Sequence, residues 1–148
     1  MKLCVSKLIT GVLKVKGNES RYIDKVTRQT KKNTDILSIR MVMAMGAARG
    51  IPDYLLMGHK ADLWIEYKYV PDLTRIRKIP WSKLSEHQEI WIDRAISLGK
   101  NVAIVIGDEN GLGLFIDTDI KGRPVNPNIY HNLTPKQICE RIEEIICK

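Results

Sequence analysis

Three residues near the middle of the chain combine the side chains that metal-assisted hydrolysis needs. Asp53 follows Pro52, twelve residues separate it from Glu66, and Lys68 comes two positions after Glu66. Residues two apart in a β-strand point to the same face, so Glu66 and Lys68 would project side by side. Asp53, at the start of a preceding antiparallel strand, can reach the same point. Two carboxylates that converge there suit Mg²⁺, which takes few protein ligands and keeps bound water.

Lys68 adds a group that could assist hydrolysis at this site. Its ammonium group can orient or deprotonate an attacking water and stabilise the negative charge that builds on a scissile phosphate. A phosphodiester is therefore the expected substrate. The alternative is that Asp53 and Glu66 are solvated partners of Lys68 on an exposed face, and spacing alone leaves both interpretations open.

The elements that must position these residues follow from hydrophobic periodicity and capping signals. The pattern predicts helices over residues 3–15, over 19–32 with Asn18 as N-cap, over 85–99 with Ser85 as N-cap, and from Thr134 onward. It predicts strands within 36–45, 52–57, 61–68, 101–106 and 111–117, of which the first three form a meander. The expected architecture is a single α/β domain over residues 1–148, with a mixed central sheet and flanking helices, in the order α-β-β-β-α-β followed by a β and an α.

The charge of the chain favours a polyanionic partner. There are 24 Lys and Arg against 17 Asp and Glu, which gives +7 and a pI near 9.4. Residues 1–50 hold 11 of the basic and 3 of the acidic residues, so the excess belongs to the first third. A nucleic acid backbone would use such a surface through counterion release. A basic face that serves only solubility is the alternative.

Other functional classes receive no support from the sequence. The 3 cysteines show no CxxC spacing, so we expect neither a disulfide framework nor a cysteine zinc site, and a reducing cytoplasm is the simplest setting. The histidines lack metal-ligand spacing and none is assigned as a ligand. No uncharged apolar stretch is long enough for a transmembrane helix, so no membrane partner is expected.

Four separate motifs occur in an order typical of one nuclease family. They are Glu19 in the first predicted helix, Arg-Gly-Ile-Pro-Asp ending at Asp53, Glu-Tyr-Lys ending at Lys68, and Ser-Glu-His-Gln opening the next helix. Together they make residues 19–107 resemble the virus-type replication-repair nuclease (VRR-NUC) domain of the PD-(D/E)xK nuclease superfamily. The resemblance implies a restriction-endonuclease-like core in a small stand-alone phage or bacterial protein. It also implies a metal-dependent nuclease that acts on structured DNA, including Holliday junctions, often as a homodimer.

The resemblance assigns roles to the residues of the candidate site. Asp53 and Glu66 become metal ligands, the backbone carbonyl of Tyr67 becomes a third, and Lys68 becomes the catalytic lysine. Glu19 would reach the site from the first helix to hold the metal, a water or a second ion.

Two of these assignments compete with simpler ones. Glu19 is also an acid in the first turn of a helix, where the helix dipole favours it. Gln88 matches the family's glutamine beside the active site, but it also occupies the third position of a capping box.

Five basic residues are candidates for contacting DNA. Arg49 precedes the Gly50 turn into the site and could pair with a phosphate, with a solvated loop arginine as the alternative. The other four were expected in loops that flank the cleft: Lys60, Arg75, Arg77 and Lys78. Trp81, in the same region, could stack on a base, although a loop anchor is the commoner role for such a residue.

The predicted function is Mg²⁺-dependent endonucleolytic cleavage of branched DNA, with Mn²⁺ able to replace Mg²⁺ and Ca²⁺ binding without supporting much cleavage. A homodimer would place two active sites on opposing strands of a symmetric junction. The alternatives are a structure-specific nickase or flap nuclease, a non-catalytic basic DNA-binding module and, more weakly, a ribonuclease.

Overall fold

A six-stranded sheet organises the chain. The computed structural model describes residues 17–41, 49–77, 80–117 and 128–148. The helices are α1 (Asn18–Thr30), α2 (Glu86–Ser97) and α3 (Pro135–Ile146), and the strands are β1 (Leu37–Arg40), β2 (Tyr54–Met57), β3 (Asp62–Tyr69), β4 (Asn101–Gly107), β5 (Gly113–Asp117) and β6 (Asn128–Leu133). Two short 3-10 helices, Leu73–Arg75 and Trp81–Lys83, lie between β3 and α2. The helix predicted over residues 3–15 lies outside the described residues.

The strands lie in the sheet in the order in which they occur in the chain, β1 to β6. Strands β1, β2 and β3 form the predicted antiparallel meander, and β3 then pairs in parallel with β4 through the α2 crossover. Strands β4, β5 and β6 are antiparallel. The expected α/β class with a mixed sheet and flanking helices is therefore confirmed, but the predicted order lacked β6.

The sequence predicted the N-cap residues of α2 and α3 correctly, but not that of α1. Ser85 caps α2 and Thr134 caps α3, each by accepting a hydrogen bond from the backbone N–H of the third helical residue, as predicted. The prediction of Asn18 as the cap of α1 is wrong, because Gly17 holds that position without a side-chain hydrogen bond and Asn18 is the first helical residue.

The core lies on both faces of β3 and β4. Helices α1 and α3 cover one face, where Val26, Ile65, Val105, Phe115 and Ile138 are buried. Helix α2 covers the other face, where the buried residues include Val70, Ile92, Ile104, Ile106 and Ile116. Strands that are covered on both faces become continuous apolar runs, which explains the sequence of β4.

Helix α1 contacts the sheet through an aromatic ring. The ring of Tyr22 lies so close to Gly107 and Gly113 that a Cβ atom at either glycine would overlap with it. The Tyr22 hydroxyl is buried and finds no hydrogen-bond partner among the described residues. Burial, with a smaller effect from Asp108, raises the pKa of this hydroxyl. Tyr22 is therefore a packing residue that fixes α1 over the β4–β5 turn.

None of the helices in the described parts of the chain is both long and apolar enough to cross a membrane.

Candidate active site

Glu66 is the most deeply buried charged residue of the site. It lies in β3 on the face toward α2, and only 1% of it is exposed to solvent. Its Oε1 atom accepts a hydrogen bond from the Nε2 of Gln88 at 2.5 Å and lies 2.7 Å from the Nζ of Lys68. Its Oε2 atom is equally buried but has no hydrogen-bond partner among the residues the structure describes. Such an orphaned carboxylate oxygen is costly unless something outside the chain binds it.

Asp53 lies immediately before β2, beside Glu66. The pairing of Tyr54 with Ile65 continues by one residue to place Asp53 across from Glu66, on the same face of the sheet. The Oδ2 atom of Asp53 accepts a hydrogen bond from the backbone N–H of Tyr67 at 2.8 Å. Within a strand the N–H and C=O of one residue point to the same neighbouring strand, so the Tyr67 carbonyl also faces the Asp53 side.

A glycine joins the loop before Asp53 to the start of α2. Gly50 has a φ of 84°, and a Cβ atom there would overlap with the carbonyl group of His87. Only glycine meets both requirements without strain. This contact holds the loop that leads to Asp53 against the first turn of α2, which carries Gln88. The Arg-Gly-x-Pro-Asp motif therefore positions the Asp53 carboxylate relative to Gln88, the residue that contacts the Glu66 carboxylate.

Gln88 takes part in the capping box and also contacts a candidate site residue. Its Oε1 atom accepts a hydrogen bond from the backbone N–H of Ser85 at 2.9 Å, which completes the capping box. Its Nε2 atom donates to Glu66. The two interpretations drawn from the sequence are compatible, because one amide has an acceptor and a donor that point to different partners.

Glu19 lies in the first turn of α1, within electrostatic reach of the site. Partial desolvation raises the pKa of Glu19, the Lys68 charge lowers it, the Asp53 charge raises it, and Lys83 lowers it. The charge of Lys83, in the 3-10 helix that precedes α2, was not anticipated from the sequence. Its only sequence signal is a basic residue two positions before the cap of α2.

The site holds more negative charge than its lysine balances. Burial raises the pKa of Glu66 to about 7, and the nearby Asp53 adds to this increase while Lys68 opposes it. Burial also raises the pKa of Asp53, against the hydrogen bond from Tyr67 and the charges of Lys68 and Arg40. A bound cation would favour the ionised form of both carboxylates.

The oxygen atoms of the site suit a hard divalent ion that keeps bound water. In the part of the chain that the structure describes, they do not form a set of protein ligands that would enclose an ion completely. Among the described residues, no three His, Cys, Asp or Glu side chains are grouped closely enough to hold an ion. Two carboxylates, one of them with an orphaned oxygen, and a backbone carbonyl on the same side instead make a partial set of oxygen ligands. Mg²⁺ takes such a set, because it retains several waters.

The described basic residues that are candidates for contacting DNA lie in different parts of the fold. Arg49 is exposed beside Gly50, four positions before Asp53. Arg75 follows β3 at the same end of the sheet and lies 3.1 Å from Asp72. Arg77 is exposed and lines a depression with Leu114 and Ile129.

Lys60 does not reach the predicted position. It lies in the β2–β3 turn, at the opposite end of these strands from Asp53, and its backbone N–H donates to Ile146 at the end of α3. Lys78 lies outside the described residues. Trp81 packs against the core on the α2 side, as expected for a loop anchor.

Comparison with known proteins identifies the fold. No protein-family model and no curated protein sequence matches the chain. A solved structure that resembles it is Hjc, a Holliday junction resolvase from the archaeal hyperthermophile Archaeoglobus fulgidus. The superposition has a TM-score of 0.50 at 16% sequence identity and covers 81% of this chain and 98% of Hjc. The fold is restriction-endonuclease-like. In this restriction-endonuclease-like chain Asp53 lies immediately before β2, and Glu66 lies in the second half of β3. The more specific VRR-NUC resemblance stays a prediction.

Proposed function

We propose that this protein is a metal-dependent endonuclease that hydrolyses phosphodiester bonds in branched DNA. The observation that carries the proposal is the buried carboxylate of Glu66, with Asp53 beside it. One of its oxygens contacts Lys68 and Gln88, and the other has no partner among the residues that the structure describes. The restriction-endonuclease-like fold and the basic charge of the chain support the same function.

The proposed cofactor is Mg²⁺, with Mn²⁺ as a substitute. Asp53 and Glu66 would hold it, together with the Tyr67 carbonyl and, directly or through water, Glu19. When bound, such an ion polarises a phosphoryl oxygen and acidifies water. Lys68 is placed to orient the attacking water and to stabilise the charge that develops on the phosphate. Gln88 orients the Glu66 carboxylate and is a positioning residue.

The proposed substrate is a four-way junction, which is the substrate named for Hjc. A symmetric junction requires two cuts on opposing strands, so we propose a homodimer with one active site per protomer. Strand β1 lies at one edge of the described sheet and exposes Leu37 and Ile39, which are 60% and 40% accessible. An exposed apolar edge of this kind is a surface that a second copy can cover. The cytoplasmic setting and the phage or bacterial origin remain predictions.

The deciding experiment compares labelled substrates: a four-way junction, a flap, a nicked duplex and a plain duplex, each with Mg²⁺ or EDTA. The wild type should make paired cuts near the junction centre with Mg²⁺ only. Lys68→Ala should reduce the rate by about 10²- to 10³-fold, as expected for the loss of one charge-stabilising group. Lys148→Ala, which removes an exposed lysine at the end of the chain, is the matched control and should cut normally.

Other outcomes point to the alternatives. Metal-dependent cuts in one strand only, at flaps or nicks, would replace the resolvase with a nickase or flap nuclease that uses the same residues. Junction binding without cleavage under any metal, unchanged by Asp53→Asn, would indicate a basic DNA-binding module. Full cleavage in excess EDTA would rule out the metal mechanism. Light scattering tests the dimer, and a monomer at concentrations that support paired cleavage would contradict it.

A further inference from the structure

Helix α1 and the turn that follows it carry a row of basic side chains on the solvent-facing side. The row consists of Arg21, Lys25, Arg28 and Lys32, which have the spacing of one helix face and are all exposed. The opposite face of the helix is buried through Tyr22, Ile23, Val26 and Thr30. One acid borders this row, since Asp24 is three residues from Arg21 and four from Arg28. The excess of cations therefore lies toward the other side of the row, at Lys25 and Lys32.

The row forms one wall of a cleft. Lys136, in the first turn of α3, supplies a fourth cation to the cleft that Lys25, Arg28 and Lys32 line from α1. The described residues that line this cleft include no carboxylate. Its boundary is marked by Glu140, whose carboxylate lies 4.0 Å from the Nζ of Lys136.

Protein stability does not explain this arrangement. Arg28 and Lys32 lie near the C-terminal end of α1, where the helix dipole favours cations, but Lys25 lies in the middle of the helix. Lys136 lies at the N-terminal end of α3, where the dipole disfavours a cation, and the first turn of α3 contains no acid. The four cations around the cleft repel each other, Glu140 offsets only the charge of Lys136 at its boundary, and an anion bound in the cleft would offset the rest.

We infer that this cleft binds the sugar-phosphate backbone of a DNA arm that leaves the active site, an inference that rests on the proposed nuclease function. The first turn of helix α1 carries Glu19, beside the site, and the helix runs away from it. The eight residues from Lys25 to Lys32, of which the last two follow the end of α1, span about 10 Å. This length matches about three phosphates along one strand of a duplex, which are about 3.4 Å apart along its axis. Lys25, the first of these cations along α1, is six residues or about 9 Å of helix from Glu19, so we expect the cleft to contribute to binding and not to the chemical step.

The test is the salt dependence of junction binding, measured by fluorescence anisotropy in EDTA so that no cleavage occurs. The variant Lys25→Gln/Arg28→Gln should bind more weakly than wild type and should lower the slope of log affinity against log salt by about 1.8, since each phosphate contact contributes about 0.9. The control Lys100→Gln/Lys148→Gln removes two exposed lysines that lie outside the cleft and should keep the slope of the wild type.

Two further measurements separate arm binding from a general charge effect. Shortening the arms of the junction should weaken binding of the wild type more than binding of the α1 variant. In cleavage assays the α1 variant should raise KM and leave kcat unchanged. Circular dichroism checks that the variant is folded, which the exposure of both side chains leads us to expect.

The possible failures are distinguishable. If the wild type binds and cuts the junction but the α1 and control variants have equal slopes, the inference about the cleft is wrong and the proposed function stands. If the wild type neither binds nor cuts any DNA substrate, both are wrong.

Discussion

The side-chain amide of Gln88 joins the cap of α2 to the carboxylate of Glu66. Its oxygen accepts from the N–H of Ser85, and its nitrogen donates to Glu66 Oε1. Since the cap fixes the amide at the helix start, the orientation of Glu66 depends on where α2 begins. The local signal that starts a helix therefore also orients a proposed metal ligand.

Replacing Gln88 should separate these two roles. Gln88→Ala and Ser85→Ala each break one half of the capping box, so each should lower the free energy of unfolding by about 1 kcal/mol. Only Gln88→Ala removes the contact with Glu66, and it alone should lower kcat. Urea unfolding and junction cleavage of both variants provide the test. An equal loss of kcat in Ser85→Ala would mean that the cap, and not the Glu66 contact, matters for activity.

Asp53→Asn should stabilise the protein in EDTA. Burial disfavours the ionised side chain, and the neutral amide also relieves repulsion with Glu66 while it can still accept from Tyr67. We expect the Tm at neutral pH to rise by about 2–4 °C, equivalent to about 1 kcal/mol for a chain of this size. Asp62→Asn, at the exposed opposite end of β3, should leave the Tm unchanged.

Mg²⁺ should make the wild type more stable than Asp53→Asn, which is the reverse of their order in EDTA. An ion that binds only the folded state raises its stability by about 2.7 kcal/mol at 100 times the dissociation constant. Thermal scans across a Mg²⁺ titration should therefore show a rising Tm for the wild type and a flat one for Asp53→Asn. Ca²⁺ should also raise the Tm of the wild type while supporting little cleavage. Identical Mg²⁺ responses in both proteins would place the ion elsewhere.

Gly50→Ala should be among the most damaging glycine substitutions. It adds the strain of a left-handed backbone, about 1–2 kcal/mol, and an overlap with the carbonyl of His87. Gly99→Ala is the matched control, since Gly99 has a φ of 72° but a methyl group there would meet open space as far as the described residues show. Urea unfolding should show a clearly larger loss for Gly50→Ala, and cleavage should fall with it. Equal losses would show that backbone strain alone matters at Gly50.

Cys139 should be protected from alkylation. It is buried, and burial raises the pKa of its thiol to about 11, with Glu143 adding to the effect. The reactive thiolate is therefore scarce at neutral pH. Peptide mass spectrometry after a timed iodoacetamide reaction should show Cys139 modified more slowly than the partly exposed Cys147. The two rates should converge in urea, and a difference that persists there would refute burial as the cause.

The placement of Asp53 and Glu66 on one face could be predicted because it depends only on strand alternation and on an antiparallel connection. The position of Lys60 followed from the same hairpin, because the turn after β2 lies at the end opposite Asp53, so the expectation that Lys60 flanks the cleft did not agree with the predicted strands. Strand β6 was missed because Asn-rich Asn128–Leu133 has weak strand propensity, an irregular register opposite β5 and a left-handed residue at Asn132. The contribution of Lys83 arises from tertiary packing, and a basic residue two positions before the cap of α2 does not by itself indicate a contact with Glu19.

The packing of Tyr22 has a consequence for the active site. Tyr22 lies one helical turn after Glu19, so the depth at which its ring rests on Gly107 and Gly113 sets how far the start of α1 extends toward Asp53 and Lys68. A side chain at either glycine would lift the helix from the sheet and move Glu19 with it. Two residues without side chains, on the far side of the sheet from α2, thus determine the distance between the third acidic group and the other two.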